Sequence, residues 1–151
     1  MTAPRIAGIG YERAALGDLL ATLRAAGIGT IVDVRERPQS RRAGFSKGML
    51  AASAMEVGIR YCHLRALGTP PEGREAHRRG DQDRFWQIVE AQLATEAAVA
   101  ALDELDQLAR ESAVCLLCYE ADWHHCHRRS IMERLADRGF SLSHLNPLPL
   151  G

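Results

Sequence analysis

The sequence predicts an α/β domain: a single three-layer unit spanning 1–151, with a mainly parallel, doubly wound sheet of about five strands and helices on both faces. Three observations predict it. Short apolar runs alternate along the chain with stretches whose apolar residues recur at helical spacing. One run, 113–118, is apolar on both faces, as a central parallel strand must be. The polar, arginine-rich segments follow the strands directly, where the site of an open α/β sheet lies.

The elements follow in order. Residues 6–9 form an apolar run ending at Gly10, the first strand, and Tyr11, Glu12 and Arg13 lie in the loop after it. Leu16, Leu19, Leu20 and Leu23 mark a helix that Gly27 stops. Residues 30–34 are a β-branched second strand, and the strand–helix–strand unit predicts that it pairs with the first in parallel. A loop over 35–45 holds Arg35, Arg37 and Arg41, with Pro38 and Gly44 keeping it irregular. Ser46 is placed to cap the next helix, whose inner face carries Leu50, Ala54 and Val57. Residues 59–64 alternate as a third strand. The Gly-, Pro- and Arg-rich stretch 65–82 reads as a second long loop. Helices follow over about 83–93 and 97–109, then the fourth strand. A helix over 130–137 ends at Gly139, residues 140–145 alternate as a last strand, and 146–151 form a tail.

Composition narrows the function classes. The formal net charge is zero, which removes bulk attraction to nucleic acid or anionic membrane. Of the 19 basic residues all but Lys47 are arginine; codon bias in an alanine-rich chain is the first explanation, and the second is that arginine's planar fork suits oxyanions. No apolar run reaches the roughly 18 residues of a membrane span, and the first residues lack a signal-peptide core. Four cysteines without a framework imply reduced thiols, so the expected location is the cytoplasm.

Candidate chemistry concentrates between residues 115 and 131, read as a buried strand, a polar loop and the first turn of a helix. Cys115 and Cys118 sit on a strand at a spacing that points them to opposite faces, which disfavours a zinc knuckle and leaves Cys115 as a small core residue. Cys118 at the strand end and Cys126 near a helix N-terminus are the candidate nucleophiles, redox thiols or metal ligands. Glu120 and His127 are the candidate proton carriers. No cofactor is predicted; the alternative is a divalent metal on Cys118, Cys126 and His127, joined by Glu120. His124 and His125 are surface loop, and Trp123 is a stacking platform or a lid. Because loops after parallel strands emerge on one edge, Tyr11, Arg13, Arg35, Arg37, Arg41, Lys47, His63, Arg128 and Arg129 are expected to ring one anion-binding crevice. Asp33, buried two residues before Arg35, either holds the loop by a salt bridge or orients Arg35 in the site.

In this order Gly10-Tyr-Glu-Arg13, Val32-Asp-Val-Arg35 with Pro38, Ser40-Arg41 and Gly44-Phe-Ser-Lys47 resemble the bacterial family catalogued as domain of unknown function 488. His63-Leu64, Leu67-Gly68 with Pro70, Cys118 with Glu120, Cys126-His-Arg128 and His144-Leu145 extend that resemblance over nearly the whole chain. It implies a cytosolic domain without a settled reaction. A fainter similarity is to rhodanese-like and phosphatase-like domains, through Val32-Asp-Val-Arg35, Cys118, Arg129-Ser130 and Gly139-Phe140. In those domains about five residues separate cysteine from arginine, whereas nine lie between Cys118 and Arg128 here, so the similarity implies topology more than chemistry. The expected function is therefore an enzyme acting on a phosphate- or other oxyanion-bearing small molecule, nucleotide or nucleic acid. The alternatives are a non-catalytic nucleotide or nucleic-acid binding module and a Cys/His/Glu metal-binding protein.

Overall fold

In the computed structural model, which describes residues 2–147, five strands form one sheet: β1 (Arg5–Gly10), β2 (Thr30–Asp33), β3 (Arg60–His63), β4 (Val114–Cys118) and β5 (Ser141–Leu145). All neighbouring strands are parallel and the order is β3-β2-β4-β1-β5. Residues 148–151 of the expected tail lie outside the described residues. β1 and β2 are therefore not the parallel pair that their short separation suggests. β4 inserts between them, with Leu116 opposite Gly8 on one side and Val32 on the other. The burial of every β4 residue suits it to the central position.

Six helices complete three layers: α1 (Leu16–Ala25), α2 (Lys47–Glu56), α3 (Pro71–Arg78), α4 (Gln82–Leu93), α5 (Glu96–Glu111) and α6 (Arg128–Asp137). Two apolar clusters lie on the two faces of the sheet. Leu19, Leu20 and Leu23 of α1 and Leu50 and Ala54 of α2 pack with Ile9, Ile31, Cys115 and Leu117. Residues of α3 to α6 pack with Val32, Val114, Leu116 and Cys118 on the other face. Cys115 and Cys118 thus fall on opposite faces, as strand pleating requires. Among the described residues no helix is long and apolar enough to cross a membrane.

Two local expectations change, and a third detail is settled. The stretch 65–82 is not one long loop: a short 3₁₀ turn over Arg65–Leu67 leads into α3. Pro71 occupies the first helical turn, where a missing N–H costs nothing. Gly73, which looks like a breaker, is a packing contact: a Cβ there would lie 2.5 Å from the Thr69 methyl and 3.0 Å from Ile88. Ser46 stands at the start of α2, but its hydroxyl does not cap it. It donates to the Ser40 carbonyl at 3.2 Å and accepts from the Ser40 N–H at 3.1 Å, closing the preceding loop on itself. α4 and α5 are separate helices, because Thr95 caps α5 by accepting from the Ala98 N–H at 3.2 Å.

Candidate functional site

The carboxyl ends of β1, β4 and β2 lie side by side, so the segments that follow them meet. The chain leaving β4 crosses the end of β1 at Gly10, where a Cβ would lie 1.8 Å from the Glu120 carbonyl oxygen. Only a residue without a side chain lets the two backbones pass. The crossing is held by Tyr11 N–H to Cys118 O at 3.1 Å, Glu12 N–H to Tyr119 O at 2.8 Å, and Ala121 N–H to the Glu12 carboxylate at 3.1 Å. On the other side the His127 Nε2 lies 2.7 Å from the Val34 carbonyl, joining the start of α6 to the end of β2. The arginine-bearing loop and the thiol-and-imidazole loop therefore share one edge. Between them opens a crevice of about 700 Å³, walled on its third side by α3 and α4.

Arg35 lies in the wall of this crevice and is 7% exposed. Its Nε and Nη2 donate to the two oxygens of fully buried Asp33 at 2.9 and 2.7 Å, and its Nη1 donates to Phe45 O at 2.7 Å and Tyr11 Oη at 3.2 Å. Four of the guanidinium's five N–H bonds are thus engaged by the protein. Burial lowers the Arg35 pKa, but the Asp33 carboxylate outweighs it, and the arginine stays charged. Asp33 also accepts from Tyr61 Oη at 2.5 Å, while burial and that same carboxylate push the Tyr61 hydroxyl well above its ordinary value. The pair is mainly an internal clamp: it ties β2, β3, Tyr11 and the 35–46 loop together.

Behind the opposite wall lies Arg128, only 1% exposed. Gly8 makes room for it, since a Cβ there would lie 3.2 Å from Arg128 Cδ. Its Nη1 donates to Cys118 Sγ and to the Glu120 carbonyl, each at 2.6 Å, and its backbone N–H donates to Cys126 Sγ at 3.4 Å. Cys118, Glu120 and Cys126 come together so that Sγ, a carboxylate oxygen and Sγ all lie within 4.8 Å of one another. His127 Nδ1 stands 3.8 Å from Cys126 Sγ. Burial pushes the Cys126 thiol up, but the hydrogen bond from Cys118, the His127 ring and Arg128 outweigh it and hold Cys126 well below an ordinary thiol. Burial and the neighbouring Cys126 charge keep the proton on Cys118. Burial opposes a charge on His127, and the Cys126 thiolate overcomes it, raising the imidazole. The directions are complementary: Cys126 is biased toward the thiolate, Cys118 toward the thiol and His127 toward the imidazolium, with the Arg128 guanidinium beside Cys118 and its backbone N–H beside Cys126. Burial, followed by the Cys126 charge, lifts the Glu120 carboxyl to about 7. Glu120 presents this carboxyl to the crevice, where His77 Nε2 approaches at 3.5 Å.

The candidate residues divide three ways. Tyr11, Arg35, Arg37, Cys118, Glu120 and His127 line the crevice. Arg37, Lys47 and His63 line an adjoining recess of about 520 Å³ together with Arg65 and Arg74. Arg13, Arg41, Cys126, Arg128 and Arg129 line neither. Arg13 is 88% exposed and pairs at 3.6 Å with Glu12, while Arg129 lies over the Trp86 ring and pairs with Glu133. Among the metal-ligand types, the set whose atoms converge contains Glu120 in place of His127. Trp123 is stacked between His124 and His144, with centroids 3.8 and 4.1 Å away, so its faces are taken. Sequence reasoning missed Arg74, His77 and Arg78, which α3 brings to the crevice. Their spacing within 74–78 fits one side of a helix, a signal hidden by reading that stretch as loop.

Comparison with known proteins adds one finding. A family model described as "Domain of unknown function DUF488" matches residues 15–135. That span takes in β2, α3, β4 and the start of α6, hence every crevice residue named above except Tyr11 and Glu12. No curated protein and no solved structure matches the chain, so the similarity to rhodanese-like domains gains no support.

Proposed function

The chain belongs to the DUF488 family, and for this member we propose an enzyme that acts on a small phosphate- or other oxyanion-bearing substrate, a nucleotide being the first candidate. One observation carries the reading: a strongly basic recess runs into the crevice whose floor holds the Glu120 carboxyl. The recess is lined by Arg37, Lys47, His63, Arg65 and Arg74 against the single acid Glu36, and it shares Glu36, Arg37 and Arg74 with the crevice. Arg74 and Arg65 are paired with Glu36 at 2.6 and 3.2 Å, which leaves Arg37 and Lys47 as the main anion contacts. An anionic group held there sets the rest of a substrate against Glu120, Cys118 and His127.

In this role Glu120 is the proton carrier. A carboxyl lifted to about 7 is half protonated at neutral pH, the condition under which one group both gives and takes a proton efficiently. His77, within 3.5 Å, is the second proton station. Arg128 and His127 hold negative charge on the sulfurs behind this floor, and positive charge beside developing negative charge serves phosphoryl and acyl transfer alike.

The test separates binding from turnover. Inorganic sulfate and a panel of nucleoside mono- and triphosphates are titrated against the wild type and an Arg37→Ala/Lys47→Ala double variant, and hydrolysis is followed by phosphate release. The wild type is expected to bind at least one nucleotide about a hundredfold tighter than the double variant, each of the two lost charge-assisted contacts being worth about 1.5 kcal/mol. Glu120→Gln is expected to retain binding and lose turnover. Equal affinity of wild type and double variant for every anion removes the recess. Turnover by Glu120→Gln at the wild-type rate removes Glu120 as the proton carrier.

A further inference from the structure

We propose that Cys118 and Cys126 form a reversible redox pair, which closes to an intramolecular disulfide when a peroxide reaches the floor of the crevice. The two Sγ atoms lie within 4.8 Å of each other, and both cysteines are free. They flank a single short segment, 119–125, with Cys118 at the end of β4 and Cys126 just before α6. Closing to an S–S bond of about 2.05 Å therefore needs side-chain rotation and adjustment of one loop rather than movement of the sheet. The surroundings suit thiolate chemistry in a buried place: Arg128 Nη1 donates to Cys118 Sγ at 2.6 Å, the Arg128 N–H donates to Cys126 Sγ at 3.4 Å, and His127 Nδ1 stands 3.8 Å from Cys126 Sγ.

Both cysteines are buried, Cys118 at 1% exposure and Cys126 at 0%, but they differ in position relative to the crevice. Cys118 lines the crevice and Cys126 does not. The resting proton sits on Cys118, so the reacting form requires its transfer to the Cys126 thiolate, which leaves the negative charge on Cys118 against the guanidinium. The Cys118 thiolate then attacks one oxygen of hydrogen peroxide. The S–O bond forms, the O–O bond breaks, and the departing hydroxide takes a proton from Glu120 or the His127 imidazolium and leaves as water. The peroxide is reduced and Cys118 is now a sulfenic acid. Cys126 next attacks the Cys118 sulfur as its thiolate, its proton passing to the group just emptied. The S–S bond forms, and hydroxide leaves carrying that proton as a second water. A thiol reductant returns both cysteines.

The same donor set could be read as a metal centre, since two thiolates and a carboxylate suit zinc. Against that stands Arg128: its guanidinium already lies against Cys118 Sγ and bridges to the Glu120 carbonyl, so a cation occupies the place where a second one would bind. The two remaining cysteines serve as internal controls. Cys62 is half-buried on β3, Cys115 is fully enclosed on the other face of the sheet, and burial pushes both thiols up.

The experiment uses the full chain, reduced, desalted and treated with stoichiometric hydrogen peroxide. Remaining thiols are blocked with N-ethylmaleimide and the unreduced protein is mapped by peptide mass. The expected result is a Cys118–Cys126 linked peptide with Cys62 and Cys115 blocked, reversed by dithiothreitol. Cys126→Ser is expected to stop at a sulfenic acid on Cys118 that dimedone traps. Should that variant not fold, the wild-type map decides alone. The proposal is overturned if Cys118 and Cys126 stay blocked while Cys62 oxidises, if Cys118 runs on to sulfinic acid without the link, or if the purified protein holds a stoichiometric metal on these sulfurs. The map reads sulfur chemistry only, so its outcome is independent of any role of Glu120 in turnover.

Discussion

Replacing Glu120 by glutamine keeps the shape of the side chain and removes its proton equilibrium, which makes the environment of this one carboxyl measurable without a substrate. Burial and the Cys126 charge lift Glu120 from an ordinary 4.5 to about 7. Ionising it therefore costs the folded chain more than the unfolded chain by about 3 kcal/mol, at 1.36 kcal/mol for each pH unit. The sign follows from the direction. A carboxyl raised in the folded state holds its proton there after the unfolded chain has lost it, so its contribution to stability is complete below about 4.5 and is lost as pH rises through about 7. Urea unfolding of wild type and Glu120→Gln, in reducing buffer from pH 4.5 to 8, isolates that contribution as a difference. The variant is expected to gain on the wild type by up to about 1.4 kcal/mol per pH unit toward neutrality, then to level off near a total of about 3 kcal/mol. A difference that stays flat with pH would mean an ordinary carboxylate, ionised at pH 7 with no proton to give. Cys126→Ser supplies the cross-check. With the thiolate gone, the Glu120 midpoint, read by carbon NMR of the carboxyl, is expected to move down and stop where burial alone leaves it.

Two further predictions concern the frame around the site. Asp33→Asn strips buried Arg35 of its carboxylate partner and is expected to cost about 3–5 kcal/mol. Adding Arg35→Met is expected to cost much less than the sum of the single changes in a denaturant-based double-mutant cycle, and strict additivity would refute the clamp. Gly10→Ala puts a methyl 1.8 Å from the Glu120 carbonyl and is expected to cost about 1–3 kcal/mol, with amide shifts over 118–127 in a ¹⁵N spectrum; unchanged stability and unchanged shifts would show that the crossing has slack.

Much of the fold is legible locally because periodicity is a local property. Leu16, Leu19, Leu20 and Leu23 repeat at helical spacing whatever they pack against, and residues 114–118 are apolar on both faces because both faces are covered. The Asp33–Arg35 clamp is legible for the same reason: side chains two apart on a strand share a face. The edge on which the site sits follows from parallel strands alone. Its contents do not. Pro71 and Gly73 read as breakers in the linear chain, yet one opens α3 and the other seats it against Ile88, which brings Arg74, His77 and Arg78 to the crevice. Arg128 looks like an anion ligand at a helix start, but the space above Gly8 draws it behind Cys118 instead.

Residue type and spacing thus settle the five strands, the helices other than α3, and which strand ends carry reactive groups, because each of those depends mainly on near neighbours in the chain. The insertion of β4 between β1 and β2, the passage of Glu120 over Gly10, and the meeting of two thiols with a guanidinium are contacts between segments distant in sequence. Such contacts depend on which surfaces fit once the chain is packed, and the burial and the neighbouring Cys126 charge that set the proton on Glu120 exist only after they have formed.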